Sequence, residues 1–271
     1  MGYMHHLSEI FHDYFEMIQA KTPALLDEAL RLRYQVYCLE TGYERHTQFV
    51  NGIEYDQFDL FSVHSIIKHK DTGIPAANTR LILPRSQKSD FHFPIQDLVS
   101  PAQIQDVVKF NKENMSDFAE ISRFCVSRDF KKRYQEGESI AGVREVEETK
   151  LDIEPESLKP VDDRLLPHIT IALMATVFKM SAEEDVKHWF AIMEPSLLRF
   201  LRRYGIDFVP IGSPVHFRGI RQPCYAFVDD VAVGMWRKRR EVWKFVTENG
   251  TVWPLPDGVG EDEGRKVASS G

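Results

Sequence analysis

The stretch Phe118-Ala119-Glu120-Ile121-Ser122-Arg123-Phe124-Cys125-Val126-Ser127 decides the fold. Its apolar residues Ile121, Phe124, Cys125 and Val126 predict a central strand buried on both faces. Two charges interrupt that run. Strict alternation puts Glu120 and Ser122 on one face, Ile121 and Arg123 on the other. An unpaired charge inside such a strand is costly, so both need partners from other elements.

Upstream, residues 62–69 alternate like a strand and end at the turn Asp71-Thr72-Gly73. Residues 76–84 read as the returning strand, stopped by Pro84, and the two form a hairpin. A helix is predicted from Pro23 to Leu39, with Thr22 as cap, Pro23 in the first turn and Gly42 as stop. Residues 7–19 place Leu7, Ile10, Phe11, Tyr14, Phe15 and Ile18 on one helical stripe. Residues 43–58 read as an ordered loop, and a short helix is expected near 101–113.

Downstream, residues 137–163 are rich in Glu and Asp, with Pro155 and Pro160, and read as a surface excursion. A long, deeply packed helix follows over Leu165–Glu183. Then come a strand (187–193), a helix (195–204) stopped by Gly205, strands at 206–211 and 222–229, and a basic amphipathic helix at 232–247. A Gly-, Pro- and acid-rich tail is expected from 254 to 271. This order suits an α/β chain: one mixed sheet flanked by helices, in a single domain over 1–253.

Composition narrows the function. The 271 residues carry 43% hydrophobic and 28% charged side chains, the mixture of a globular protein. No apolar run approaches about 18 residues, so no spanning helix is expected. The start shows no basic stretch followed by an apolar one, so no secretory signal is expected and a cytoplasmic location is. A net charge of −7 disfavours nucleic acid as a partner. Cys38, Cys125 and Cys224 are dispersed and odd in number, which argues against a disulfide framework or structural zinc. Cys125 on the central strand reads as a small hydrophobe rather than a nucleophile.

Four constellations carry chemistry. Arg33 and Tyr37, in Arg33-Tyr34-Gln35-Val36-Tyr37, share a helix face. Glu54-Tyr55-Asp56-Gln57-Phe58-Asp59 sets three carboxylates among aromatics. Arg80 lies in Thr79-Arg80-Leu81-Ile82-Leu83-Pro84, and Glu120, Ser122 and Arg123 lie on the central strand. Mutual pairing is the economical solution: Arg33, Arg80 and Arg123 against Asp56, Asp59 and Glu120. Such a cluster is either a buried structural network or the wall of an active site.

In order and spacing, these pieces resemble the acyl-homoserine-lactone (autoinducer) synthases over roughly residues 31–127. The later stretches His188-Trp189-Phe190-Ala191-Ile192-Met193-Glu194-Pro195 and Pro210-Ile211-Gly212-Ser213-Pro214 extend a second likeness. They resemble the acyltransferases associated with PEP-CTERM/exosortase systems, grouped with N-acyl amino acid synthases, over most of residues 20–255. These families imply a GNAT-like acyltransferase fold with its sheet splayed between strands 118–127 and 187–193. They imply transfer of an acyl group from an acyl carrier protein or coenzyme A thioester to an amine, with no tightly bound cofactor and no metal. Glu120 is then the base or the anchor of a water acting as one. Arg33, Asp56, Asp59, Arg80 and Arg123 hold the acceptor pocket, with Ser122 as a hydrogen-bonding wall. Tyr37, Tyr43, Phe91 and Phe124 are the expected substrate-binding aromatics.

The chain departs from the autoinducer synthases where Tyr43 replaces their Trp and Tyr37 their usual Phe. That disfavours S-adenosylmethionine as acceptor. The glycine-rich acetyl-coenzyme-A loop of the fold is also missing. Arg128-Asp129-Phe130-Lys131-Lys132-Arg133 stands in its place, so Arg128, Lys131, Lys132 and Arg133 form a candidate dock for a carrier protein. A solvated basic turn explains the same residues. The alternatives for the whole chain are an acyl-homoserine-lactone synthase and a non-catalytic acyl-ligand sensor on the same fold.

Overall fold

The computed structural model describes residues 11–49, 51–84, 91–131 and 165–259. Strands β1 (Phe15–Gln19), β2 (Ser62–His69), β3 (Pro75–Ile82) and β4 (Phe118–Val126) form an antiparallel half. Strand β5 (His188–Met193) joins β4 in parallel, and β8 (Ile220–Phe227) joins β5 antiparallel. Two short strands, β6 (Val209–Pro210) and β7 (Val215–His216), pair with β8. The sheet therefore runs β1-β2-β3-β4-β5-β8-β6, a mixed sheet flanked by helices.

One face carries the main core. Helix α4 (Leu165–Glu183) is apolar on nearly every side, and Ile169, Leu173, Met174, Val177 and Phe178 pack on Ala77, Leu81, Ala119 and Ile121. Helices α6 (Val228–Lys238) and α7 (Arg240–Val246) extend that layer. On the opposite face, Phe93, Ile95 and Phe110 cover Ile82, Phe118 and Phe190. Helix α1 (Pro23–Tyr34) closes the rest of that face through Leu32, next to Val36, Tyr37 and Cys125. Thr22 caps α1, its Oγ1 accepting from Leu25 N at 3.3 Å, and Pro23 fills the first turn.

Several elements differ from the sequence expectation. Residues 11–14 are helical, but 15–19 form β1, because the outer edge of β2 supplies ladder partners that a surface helix lacks. Helix α1 passes into a wide π turn at Gln35–Glu40 instead of continuing regularly to Leu39. The helix near 101 is one turn, α2 (Pro101–Gln105), capped by Ser100. The strand expected at 206–211 contracts to β6, and the basic helix starts at Val228 and breaks at Arg239. Helix α5 (Pro195–Arg203) ends at Gly205 as expected. The excursion at 137–163 lies outside the described residues. Within the expected tail, Leu255 packs against the main core, and residues 260–271 lie outside the description.

Gly205 and Gly234 mark a close backbone approach. Gly205 has φ +81°, and a Cβ at Gly234 would fall inside the contact distance of the Gly205 carbonyl oxygen. Gly234→Ala is therefore expected to destabilise the protein by about 1–3 kcal/mol, read from urea unfolding. An unchanged midpoint would show that α5 and α6 can separate freely.

Candidate active site

The site begins with one extra residue in β4. Asn78 pairs with Cys125 and Arg80 with Ser122, so three steps on β4 oppose two on β3. This is a bulge, and Arg123 takes φ +50° within it. Alternation restarts there. Ser122 and Arg123 both turn to the face of Glu120, while Phe124 returns to the main core. The expectation that Arg123 faces away from Glu120 is thus corrected.

The bulge completes a buried ion network. Arg33 is fully buried and donates from Nε to Glu54 at 2.5 Å and from Nη1 to Asp59 at 2.6 Å. Arg80 donates from Nη1 to Asp56 at 2.6 Å and Asp59 at 2.7 Å, and from Nε to Ser122 Oγ at 2.8 Å. Arg123 reaches Glu54 at 2.8 Å and Asp56 at 2.9 Å, and lies 5.2 Å from the Tyr37 ring centroid. Asp56 and Asp59 are oriented by their own turn: Asp56 N donates to Asp59 at 2.7 Å, and Phe58 N to Asp56 at 2.9 Å.

The third carboxylate of this network is Glu54, not Glu120. Sequence reading noted Glu54 within the acidic cluster but left it without a role. Its position before the tight turn at residues 57–61 sends it into the protein rather than toward solvent. Burial opposes ionisation, yet Arg33 and Arg123 hold Glu54 below the usual carboxylate range. Despite burial, Arg80 does the same for Asp56, and Arg33 for Asp59. His64, opposite Arg80 on β2, was also missed. Burial and Arg33 push it down to about 3, so it is neutral at physiological pH.

Glu120 stands apart. It is 1% exposed, and its Oε2 accepts from Ile95 N at 2.9 Å. Burial pushes it up to about 8, against the lowering influence of that N–H and of Arg80. It opens onto a cavity of about 650 Å³. The cavity lies where the parallel ladder ends: β4 and β5 pair from Phe118↔His188 to Ile121↔Ala191 and then part. Beyond that point Ser122, Arg123 and Phe124 line one side, and Ile192, Met193 and Glu194 the other. Phe49, Tyr55, Phe58 and Phe217 add aromatic walls.

The remaining predicted residues scatter. Tyr37 and Phe124 line the cavity. Tyr43 lies behind its wall, beneath the Arg221 guanidinium, whose carbon is 5.5 Å from the ring centroid. Phe91 packs on Phe61 and Phe93 instead of lining the cavity, because its neighbours are the aromatic cluster covering the sheet. Arg128 is exposed at the start of the short helix α3 (Arg128–Lys131), just after β4. Lys132 and Arg133 lie outside the described residues, as does the side chain of Lys131. Sequence reading also missed Arg218 and Arg221 on the cavity wall. Only the pairing of β7 with β8 brings them there.

Comparison with known proteins agrees with this architecture. Residues 32–137 match the model of the acetyltransferase (GNAT) domain. No curated protein matches the chain. Among solved structures, TofI in a ternary complex with an inhibitor and MTA is 14% identical, over 82% of this chain and 95% of that one (TM-score 0.53). BjaI, a CoA-dependent acyl-homoserine lactone synthase solved with SAM and isopentyl-CoA, is 17% identical over 90% of each chain (TM-score 0.50). MesI, another CoA-dependent acyl-homoserine lactone synthase, is 14% identical over 90% of this chain and 100% of that one (TM-score 0.50). The chain therefore has the GNAT-like fold of these structures, and its residues 32–137 match an acetyltransferase domain.

Because each buried charge is matched, removing one strands its partner. Arg33→Met is expected to cost about 3–5 kcal/mol in urea unfolding, and Arg33→Met with Glu54→Gln less than the sum of the two. The three depressed carboxylates also set an acid limit. Their contribution is complete above the unfolded values of 4.5 and 3.8. It is lost as pH falls through the lower folded values. Stability that stayed flat from pH 5 to pH 2 would contradict the network.

Proposed function

We propose that the protein moves an acyl group from a thioester donor to the nitrogen of a small amine, as N-acyl amino acid synthases do. The observation that carries this reading is Glu120. It is a buried carboxyl with a raised pKa at the point where β4 and β5 part. A general base works best when its pKa lies near the working pH. At pH 7 Glu120 is therefore mostly protonated, and its ionised fraction grows toward pH 8.

The chemistry balances simply. The amine nitrogen attacks the thioester carbonyl, forming a C–N bond and a tetrahedral oxyanion. Glu120, or a water it holds, takes the proton from nitrogen. The C–S bond then breaks, and the departing thiolate recovers a proton, giving an amide and a free thiol. Backbone N–H groups at the parted strand edges are the natural oxyanion donors. Arg33, Arg80, Arg123, Glu54, Asp56 and Asp59 are assigned to the acceptor side, where their pairing keeps the wall rigid. Ser122 steadies Arg80. Tyr37 and Phe124 are assigned to substrate contact.

The donor is either a carrier-protein thioester or a coenzyme A thioester. BjaI and MesI are described as CoA-dependent. In this chain the basic segment at Arg128, Lys131, Lys132 and Arg133 favours a carrier protein. Lys131→Glu with Lys132→Glu is expected to reduce activity with an acyl carrier protein while coenzyme A thioesters remain usable. Equal activity with both donors would remove the docking assignment. Among the described residues no helix is long and apolar enough to cross a membrane. A cytoplasmic site of action is proposed with the carrier-protein donor, which is a soluble substrate.

The test is mass spectrometry of lipid extracts from cells expressing the protein or its Glu120→Gln variant. New N-acyl amines made only by the intact protein are expected. An acyl-homoserine lactone product would instead support the S-adenosylmethionine-using alternative. With purified protein, kcat/KM should rise with pH through about 8, and the Glu120→Gln variant should lose at least about 100-fold in kcat along with that rise. A folded variant with unchanged turnover would leave Glu120 structural and favour the sensor reading.

A further inference from the structure

Side chains tie the two halves of the sheet together beyond the point where the β4–β5 ladder ends. On one side stands the loop that holds Tyr43 and Glu44. It belongs to the β1–β4 half: Glu44 N donates to the Tyr37 carbonyl at 2.9 Å, and Tyr37 packs with Leu32 and Cys125. On the other side stands a hairpin tip, Phe217, Arg218 and Gly219. It belongs to the β5–β8 half, because β7 and β8 pair at Val215↔Arg221 and His216↔Ile220. Arg218 Nη2 pairs with Glu44 across the gap. Beside it, the Arg221 guanidinium carbon lies 5.5 Å from the Tyr43 ring centroid. Glu44, Phe217, Arg218 and Arg221 all line the cavity, so these crossing contacts bound it on this side.

Each crossing group also has somewhere to go on its own side. Glu44 lies 3.8 Å from Arg123 on β4. Arg221 pairs at 3.2 Å with Glu194, just past the end of β5. The Arg218 side chain is 30% exposed and reaches solvent. Opening the crossing contacts therefore strands no charge. The core network is built the other way: every side-chain nitrogen of the buried Arg33 and Arg80 meets an acceptor. Partly exposed ion pairs contribute little stability and are made and broken readily. The closed arrangement also carries its own opposition. Arg218 takes φ +52°, which costs a residue with a Cβ conformational energy. Burial and the neighbouring Arg123 lower the pKa of Arg218, so both disfavour its charge at the closed position.

We propose that the Glu44–Arg218 pair, with Arg221 on Tyr43, is a latch across the cavity. It opens to admit the donor arm and to release product, and it closes during transfer. The inference rests on the acyl-transfer reading above for what passes through the gap. A contact with two arrangements, each leaving its charges matched, shifts between them at small cost and shuts water out when closed. The donor arm is bulky at both ends, with an acyl chain on one and a carrier protein or nucleotide on the other. Sideways entry past an open latch spares threading either end between β4 and β5.

The test reads entry and exit, so it does not depend on turnover. The probe is coenzyme A or acyl carrier protein bearing a pyrenyl-acyl thioether, which resembles a donor and cannot transfer its chain. Glu44→Cys with Arg218→Cys is bridged by a bifunctional methanethiosulfonate that dithiothreitol removes. Wild type and the two single variants receive the same treatment. Bridging is expected to slow probe association and dissociation by at least about 10-fold in stopped-flow fluorescence, with recovery after dithiothreitol. Glu44→Gln should instead speed dissociation by about 3- to 10-fold, and it serves where the double variant does not fold. Bound probe that exchanges at the same rate with the bridge in place would overturn the latch and leave acyl transfer standing. So would unchanged dissociation from a folded Glu44→Gln variant. No binding of either thioether by the wild type would overturn the latch together with the donor site it serves.

Discussion

One extra residue in β4 governs the rest of this structure. The bulge at Arg123 turns a second cation onto the face that already carries Glu120 and Ser122. A buried guanidinium cannot stay unpaired, so Glu54 and Asp56 come in to meet it. Those carboxylates in turn bind Arg33 and Arg80, from α1 and β3. A loop, a helix and two strands are tied together by charges that would each be costly alone.

The same constraint shapes the cavity. The β4–β5 ladder ends at Ile121↔Ala191, one residue before the network's Ser122. The strand edges beyond are left to a substrate rather than to each other. Around that opening, two kinds of carboxyl group sit close together. Asp56 and Asp59 are held ionised by guanidiniums, whereas Glu120 is held protonated by burial. Environments that push pKa values apart in this way separate a positioning wall from a proton carrier.

Much of this architecture was legible in the chain. Leu165–Glu183, the β2–β3 hairpin and the parallel strand before Pro195 appear close to where periodicity and turn residues place them. The expected partners of Arg33, Arg80 and Arg123 were Asp56, Asp59 and Glu120, and the structure pairs the first two with them. Glu120 was placed in the wrong role within that set, because sequence spacing does not reveal which carboxyl meets a cation and which meets Ile95 N–H. Residues 15–19 were misjudged because Phe11 and Phe15 satisfy a helical stripe, while the open edge of β2 offers a ladder. Local pattern is weaker than a tertiary hydrogen-bonding partner.

What the sequence determined by itself was the succession of elements, the burial of β4 and the presence of buried charges that had to find one another. These follow from local periodicity and from the cost of an unpaired charge, both of which act at short range in the chain. The tertiary structure alone decided the bulge at Arg123, the entry of Glu54 and the arrival of Arg218 and Arg221 at the cavity. Each depends on strand register across segments distant in sequence. A one-residue shift in register moves a side chain to the opposite face, and no local pattern carries that information.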